Sequence, residues 1–415
     1  MKFFVSYFGC RSNQAEIQDW VIKLENLGYR LVKNPDDADF CILNTCSVTH
    51  KAERDVLRFI NKNYKKTNSR WIIAGCTVSK EKKELETKYK NYIFLTNKEK
   101  ENLTDIVKND FSFDSNIIHH SSYKSRIFLK IQDGCNFRCT FCIVPSLRGK
   151  SRSLKTEDIV KKAEYLVSLG FKEIILTGIN LSSFGYDLFP RENLIGLVNE
   201  LSKIKKLKLI RLSSLDPRFI KYEFIKQLSE IGEKVSQSFH FSFQSGSNSV
   251  LKRMNRASKV IDYIKIMNTF KKFFPDANYG GDIIVGFPDE SESEFNDTFE
   301  FIRESGLNYL HIFPFSPREG TKAFFMKPVK SQLVKKRMDI LKEYNREIKI
   351  RYKEKFISKE LSCIIIEEND DYSLALTTNY ISVRVNPSKG YKKDFVNVKI
   401  NRVINDNICE GELIK

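Results

Sequence analysis

Cys135, Cys139 and Cys142 stand in the run DGCNFRCTFC, and this CxxxCxxC spacing constrains the chain more than any other feature. Thiolates are the usual protein ligands of iron–sulfur clusters, and a cubane takes four of them. Three on one short loop hold three irons and leave the fourth with an open coordination position. Open positions mark catalytic metal sites and closed ones structural sites. A zinc knuckle is the competing reading, but zinc sites favour a CxxC pair matched by a distant second pair. No second CxxC pair is present.

A chain of 415 residues with 41% apolar content can bury large cores, and its length suggests two or three domains. The formal charge of +18 implies a polyanionic partner, since Lys and Arg neutralise phosphates and release counterions. A generic abundance of lysine along the whole sequence is the bland alternative. Met1 to Val5 reads as a strand, with no long apolar run of a secretory signal. No stretch approaches the roughly 18 apolar residues needed to span a bilayer. Nine cysteines in that setting argue for a reducing cytosol, hence a cytoplasmic protein with metal-binding or catalytic thiols rather than disulfides.

Residues 1–115 alternate strand and helix signals. Lys2–Phe8, Asp39–Leu43 and Arg70–Ala74 read as strands, and Gln14–Leu27 carries a helical period that stops at Gly28. This predicts a parallel α/β domain with Cys10, Cys46 and Cys76 at the carboxyl ends of three strands, the edge where ligands collect. Cys41, inside the apolar run DFCIL, reads as core. Residues 116–125 read as a linker, in which His119 and His120 are exposed. Over 126–328, six strands alternate with helices: Phe128–Gln132, Glu173–Thr177, Leu207–Leu212, Ser238–Phe243, Asn278–Val285 and Tyr309–Phe315. That pattern predicts a partly open TIM-like (β/α)6 barrel with its chemistry at the carboxyl ends of the strands. Residues 329–355 read as one basic connecting helix, and 356–415 as a small β-barrel.

Cys10 in YFGCRSNQ, Cys46 in LNTCSVT and Cys76 in IAGCTVS each follow a strand and sit beside Gly or Asn, residues suited to tight turns. Three cysteines at matching strand ends point to a second three-thiolate cluster. With these motifs, DGCNFRCTFCIVPSLRGKSRS, FSFQSGSNSVLKRMNR and DIIVGFPDE, the chain resembles the methylthiotransferase family of radical S-adenosylmethionine (SAM) enzymes over nearly its whole length. The resemblance implies an N-terminal auxiliary-cluster domain, a radical SAM barrel and a C-terminal RNA-binding TRAM barrel. It also implies two [4Fe–4S] clusters, with SAM chelating the open iron held by Cys135, Cys139 and Cys142.

GCRSNQ, NTCSVT and HIFPFSPREGT resemble the branch that adds a methylthio group to C2 of N6-threonylcarbamoyladenosine, 3′ to the anticodon of tRNA. Members acting on N6-isopentenyladenosine typically show GCQMN, and those acting on an aspartate of ribosomal protein S12 show GCPKN. A non-catalytic iron–sulfur RNA-binding protein is the reading from another class. The branch implies a tRNA carrying N6-threonylcarbamoyladenosine as partner, with an electron donor such as flavodoxin or ferredoxin, and no membrane.

Further site residues follow by position on the barrel strands. Thr177, Gly178 and Asn180 end the second, Ser213 and Ser214 the third, Gln244 and Ser245 the fourth, and Gly286 the fifth; these are the candidate SAM-binding residues. Asp282, also on the fifth, reads as a ligand contact or a structural hydrogen-bond partner. Arg148, Lys150 and Arg152 beside the cluster loop, and Lys335, Lys336 and Arg337 on the basic helix, are the candidate RNA contacts. The helix is the better phosphate surface, because residues 356–415 carry eight Lys/Arg against nine Asp/Glu. Lys389, Lys392 and Lys393 form the one local basic patch read there.

Overall fold

The computed structural model describes residues 1–64, 69–111, 125–387 and 395–414. Most of the expected linker, with His119 and His120, and the lysines at 389, 392 and 393 lie outside the described residues. The chain divides into two compact units. The first comprises Met1–Tyr123 together with Asp133–Arg152 and Ser316–Thr321, so the CxxxCxxC loop groups with the N-terminal cysteines.

In the first unit, β1 (Lys2–Tyr7), α1 (Arg11–Asn26), β2 (Arg30–Leu31), β3 (Phe40–Thr45), α2 (His50–Tyr64), β4 (Arg70–Gly75), α3 (Cys76–Lys88), β5 (Ile93–Leu95) and α4 (Leu103–Asp110) succeed one another. The strands form one parallel sheet in the order β2-β1-β3-β4-β5. Every residue of β3 is buried, as expected of a central parallel strand covered on both faces. On one face Trp20, Val21 and Leu24 of α1 pack with Phe3, Phe40 and Ile42. On the other, Val56 and Ile60 of α2 pack with Leu43, Trp71 and Ile73, and Cys41 belongs to this core as read.

The second unit holds most of the barrel: β6 (Arg126–Asp133), whose last residue belongs to the first unit, α5 (Val144–Arg148) in the intervening loop, β7 (Arg152–Ser153), α6 (Thr156–Ser168), β8 (Glu173–Gly178), α7 (Leu194–Ser202), β9 (Leu209–Leu212) and β10 (Ser214–Leu215). Then follow α8 (Tyr222–Glu230), β11 (Ser238–Gln244), α9 (Asn248–Arg253), α10 (Val260–Phe273), β12 (Asn278–Val285), α11 (Glu292–Ser305) and β13 (Tyr309–Pro314). The third expected strand breaks at Ser213. Its first half, β9, pairs with β8, and its second half, β10, pairs with β11, so two four-stranded sheets share that one strand. Phe239, Phe241 and Phe243 alternate along β11 toward Phe270 and Phe274 on one side and Phe301 of α11 on the other, which places the helices on that face.

A single helix, α12 (Ser331–Glu354), leads to β14 (Glu360–Glu368), β15 (Ser373–Thr377), β16 (Ser382–Val385), β17 (Phe395–Val403) and β18 (Ile408–Ile414), which close into a five-stranded barrel. In β18, Glu410, Gly411 and Glu412 interrupt the apolar alternation. Gly411 is needed there: a Cβ would lie 2.3 Å from the Lys399 carbonyl, beside an irregularity in the β17–β18 register.

Arg337 corrects its reading as an RNA contact on α12. Its guanidinium is buried, paired with Glu290 at 2.9 Å and Glu292 at 3.0 Å, and lies over the Phe295 ring. Lys335 and Lys336 remain exposed. Within the same unit the small barrel rests on the strands of the large one through Tyr380, whose ring meets Arg211 at 4.6 Å and Arg126 at 5.5 Å. Arg211 is also buried against Glu173 at 2.6 Å. Glu173→Gln therefore strands a buried guanidinium without its counter-charge and should lower stability by about 3–5 kcal/mol. A urea midpoint unchanged from the parent protein would refute that role.

Candidate iron–sulfur and cofactor site

Each of the three strands expected to carry a cysteine delivers one. Cys10 is the N-cap of α1, Cys46 follows β3 directly, and Cys76 opens α3. Cys46 is the buried member. Burial, then the neighbouring Cys10 and Cys76 sulfurs, push its thiol up to about 12, with Arg148 opposing them.

Glycine precedes a cysteine at Gly9, Gly75 and Gly134, and each has a left-handed backbone, φ +95°, +108° and +68°. A Cβ at Gly9 would lie 2.5 Å from the Cys46 sulfur. At Gly75 it would lie 2.6 Å from the Thr45 carbonyl, and at Gly134 2.0 Å from the Lys150 carbonyl. These glycines let the loops close on one another in a way no other residue permits.

The CxxxCxxC loop is held shut by backbone bonds from Cys135 N–H to the Gly149 carbonyl (3.1 Å) and from Cys142 N–H to the Cys139 carbonyl (3.0 Å). Just beyond it, Ile143 and Leu147 pack on Cys76, so both cysteine trios belong to one compact unit. Asn97 reinforces this contact, donating to the Leu147 carbonyl at 2.9 Å and to the Cys76 sulfur at 3.5 Å.

Arg148 is a correction to the sequence reading. It is 4% exposed and meets no solvent-borne phosphate. Its guanidinium donates to Asp133 at 3.0 Å, Glu16 at 3.2 Å and Asn13 at 2.6 Å. Lys100 completes the network on the other Glu16 oxygen at 2.7 Å. Burial disfavours the Arg148 charge, but Glu16, Cys76, Asp133 and Cys10 more than restore it. Lys150 and Arg152 are exposed, and Arg152 pairs with Glu101.

A second buried clamp, unforeseen in sequence although it lies in the quoted SPREGT run, holds the segment after Cys46. Arg318 binds Glu53 at 2.9 Å and Ser47 at 3.1 Å, with Lys80 on Glu53 at 2.9 Å. Burial works against the Glu53 carboxylate, yet Arg318 and Lys80 outweigh it and lower its pKa to about 2.

The donor chemistry fits clusters better than single ions. Among the described residues, one group of three His, Cys, Asp or Glu ligands has donor atoms all within 4.8 Å, and it is His240, Asp282 and His311. A lone zinc ion, with Zn–S near 2.3 Å, would draw its sulfurs within about 4 Å. Neither cysteine trio forms so tight a group among the described residues.

In the second unit, Thr177, Asn180 and Ser213 are buried at the strand ends, as read. Gly178 lacks a Cβ where one would lie 2.9 Å from Gln132 Oε1, and that oxygen accepts from the Asn180 N–H at 2.9 Å. The Asn180 side-chain oxygen is buried with no protein partner, an acceptor suited to an ammonium group. Gln244 has a left-handed backbone (φ 72°) at a register shift between β11 and β12, and a strained strand end of this kind is common at functional sites. Ser214 reaches Asp282 at 3.5 Å, and Asp282 is held ionised against its burial by His240 and His311.

Ser245 and Gly286 depart from their expected roles. Ser245 is fully buried, bonded to Thr298 of α11 and to the Ser247 N–H, so it shapes the turn after β11. Gly286 gives its N–H to Glu290, and its bare face admits Val334 of α12, where a Cβ would come within 2.4 Å. Both serve packing.

The glycine geometry generates a reciprocal test. Gly9→Ala should cut iron in the anaerobically reconstituted protein from about eight to about four per chain, with reductive SAM cleavage retained. Gly134→Ala should lose a similar amount of iron together with SAM cleavage. Loss of all iron in both variants would contradict two separately assembled sites.

Two family models match the chain: the Radical SAM superfamily over residues 129–302 and the uncharacterized protein family UPF0004 over residues 2–96. The chain is 36% identical over 415 residues to the threonylcarbamoyladenosine tRNA methylthiotransferase MtaB of Aquifex aeolicus, covering 95% of this chain and 98% of the relative. It is 33% identical to the tRNA-2-methylthio-N(6)-dimethylallyladenosine synthase of Thermosipho africanus, covering 89% and 88%. Among solved structures, the radical SAM methyltransferase TsrM of Kitasatospora setae, with cobalamin and a [4Fe–4S] cluster bound, shares the fold. Its TM-score is 0.56 at 9% identity, over 78% of this chain and 74% of that one. Identity at this level along nearly the full length, together with both cysteine motifs, makes the chain a member of the radical SAM methylthiotransferase family.

Proposed function

We propose that this protein adds a methylthio group to C2 of N6-threonylcarbamoyladenosine in tRNA. The observation that carries the reading is the gathering of two cysteine trios into one compact unit, with Ile143 and Leu147 of one loop packed on Cys76 of the other. Sulfur transfer to an unactivated carbon needs an activating centre beside a sulfur-bearing one, because a carbon radical is short-lived. Bound at Cys135, Cys139, Cys142 and at Cys10, Cys46, Cys76, two [4Fe–4S] clusters with SAM would supply the radical and the methylated sulfur.

The chain's own residues supply position. Gly9, Gly75 and Gly134 let the thiol-bearing loops close. The Arg148 and Arg318 clamps fix the loops that carry the thiols, and in the second unit the buried Asn180 oxygen is an acceptor with no protein partner. Lys335 and Lys336, exposed on α12, are positioned to meet phosphate.

The threonylcarbamoyl branch draws on GCRSNQ, NTCSVT and HIFPFSPREGT and on the name of the Aquifex relative. The dimethylallyl name on the Thermosipho relative makes that base the alternative outcome. Reconstituted protein is offered tRNA bearing either base under reducing, anaerobic conditions, and the nucleosides are read by mass spectrometry. A methylthio product from the threonylcarbamoyl tRNA alone is expected. Product only from the isopentenyl tRNA would reassign the branch, and product from neither, with SAM cleavage intact, would overturn the RNA reading. Reversing charge at Lys335 and Lys336 should also reduce the salt slope of tRNA binding by about one to two. An unchanged slope would remove α12 from the interface.

A further inference from the structure

We propose that His240, Asp282 and His311 form a mononuclear site for a divalent first-row transition metal, separate from either cysteine trio. The three residues come from the adjacent parallel strands β11, β12 and β13. Asp282 lies opposite His311 in the β12–β13 register, and His240 lies opposite Gly280, two residues before Asp282 on the same face. The opposite face of β11 carries Phe239, Phe241 and Phe243 against the aromatic side chains of α10 and α11, so the triad stands on the face turned away from the helices.

The donor atoms converge on one carboxylate oxygen. His240 Nε2 is 2.8 Å and His311 Nδ1 3.5 Å from the same oxygen, Asp282 Oδ1, and all three donor atoms lie within 4.8 Å. Metal–nitrogen and metal–oxygen bonds of about 2.0–2.2 Å, meeting at angles near 90–110°, set donors about 2.8–3.6 Å apart, the range of both distances to Asp282 Oδ1. Two imidazoles and one carboxylate on one face, with other positions open, suit Mn(II), Fe(II), Co(II) or Zn(II), and not the cubanes that thiolates hold.

The surroundings are built as metal sites are built. The outer nitrogen of His240, Nδ1, is 3.1 Å from the Tyr309 hydroxyl, which orients the ring. Tyr309 can lie there only because residue 280 is glycine, since a Cβ would come within 2.0 Å of its ring. Ser214 approaches the second Asp282 oxygen at 3.5 Å. A metal-free hydrogen-bonded clasp would need only one imidazole on Asp282; here two converge on a single oxygen.

The test uses full-length, cluster-reconstituted protein with its clusters oxidised and adventitious metal removed by chelating resin. Mn(II) is titrated in, and free ion is followed by its six-line electron paramagnetic resonance signal. One Mn(II) per chain is expected, with affinity falling about 100-fold in His311→Ala and about tenfold in Tyr309→Phe. Cluster iron should stay at the parent level and report that each variant is folded. His311 is half exposed, so its removal burdens the fold least and keeps the test decisive should Asp282→Asn fail to fold. No stoichiometric Mn(II) in the parent protein, or binding unchanged in His311→Ala, overturns the site and leaves the triad a clasp.

Discussion

Arg148 is the fastening on which the first unit depends. The CxxxCxxC loop has little regular structure of its own, and an irregular segment cannot hold three sulfurs in register by backbone pairing alone. A planar guanidinium reaching Asp133, Glu16 and Asn13 fixes the loop by direction as well as by charge. Buried ion pairs of this kind add little net stability, since desolvation offsets most of the attraction, but losing one member strands the rest. Two cations, Arg148 and Lys100, meet two anions, Glu16 and Asp133, in this network. Its value lies in specifying one arrangement.

Under the proposed reading, metal loading and folding are linked at this edge. Cys46 is buried and its thiol resists ionisation, so a thiolate forms there chiefly when a metal takes the proton's place. Cys10 and Cys76 stand at the starts of α1 and α3. The left-handed glycines let these sulfurs approach without backbone clash, so the cost of the fold at this edge is confined to positions where only glycine fits. Such a site is built by backbone shape before it is built by ligands.

Much of this was legible from sequence because it rests on local pattern. The six barrel strands, the α12 helix, the core role of Cys41 and the strand-end placement of three cysteines all follow from periodicity and turn chemistry. What sequence could not show is long-range pairing. Arg148 finds Glu16 across 132 residues and Arg337 finds Glu290 across 47, and in a chain rich in Lys and Arg nothing local separates a buried guanidinium from a solvated one. Glu16 did leave a trace, as a carboxylate between Ala15 and Ile17 on the apolar face of α1. Ser245 and Gly286 misled for a related reason: a small residue at a strand end serves a neighbouring helix as readily as a ligand.

The burial of these arginines changes what the +18 charge can do. Arg148 and Arg337 spend their forks inside the protein, and on α12 Lys342 and Arg346 are tied to Asp339 and Glu343. Lysines such as Lys335 and Lys336 are left to face a polyanion. An ammonium is a hydrated point charge that meets phosphate without the planar, two-pronged geometry by which guanidinium reads a base edge. Under the proposed reading, such lysines would bring tRNA to the surface with little regard for sequence. Selection of the modified adenosine then has to come from polar residues inside the barrel, where geometry is fixed by strands and not by long, mobile cations.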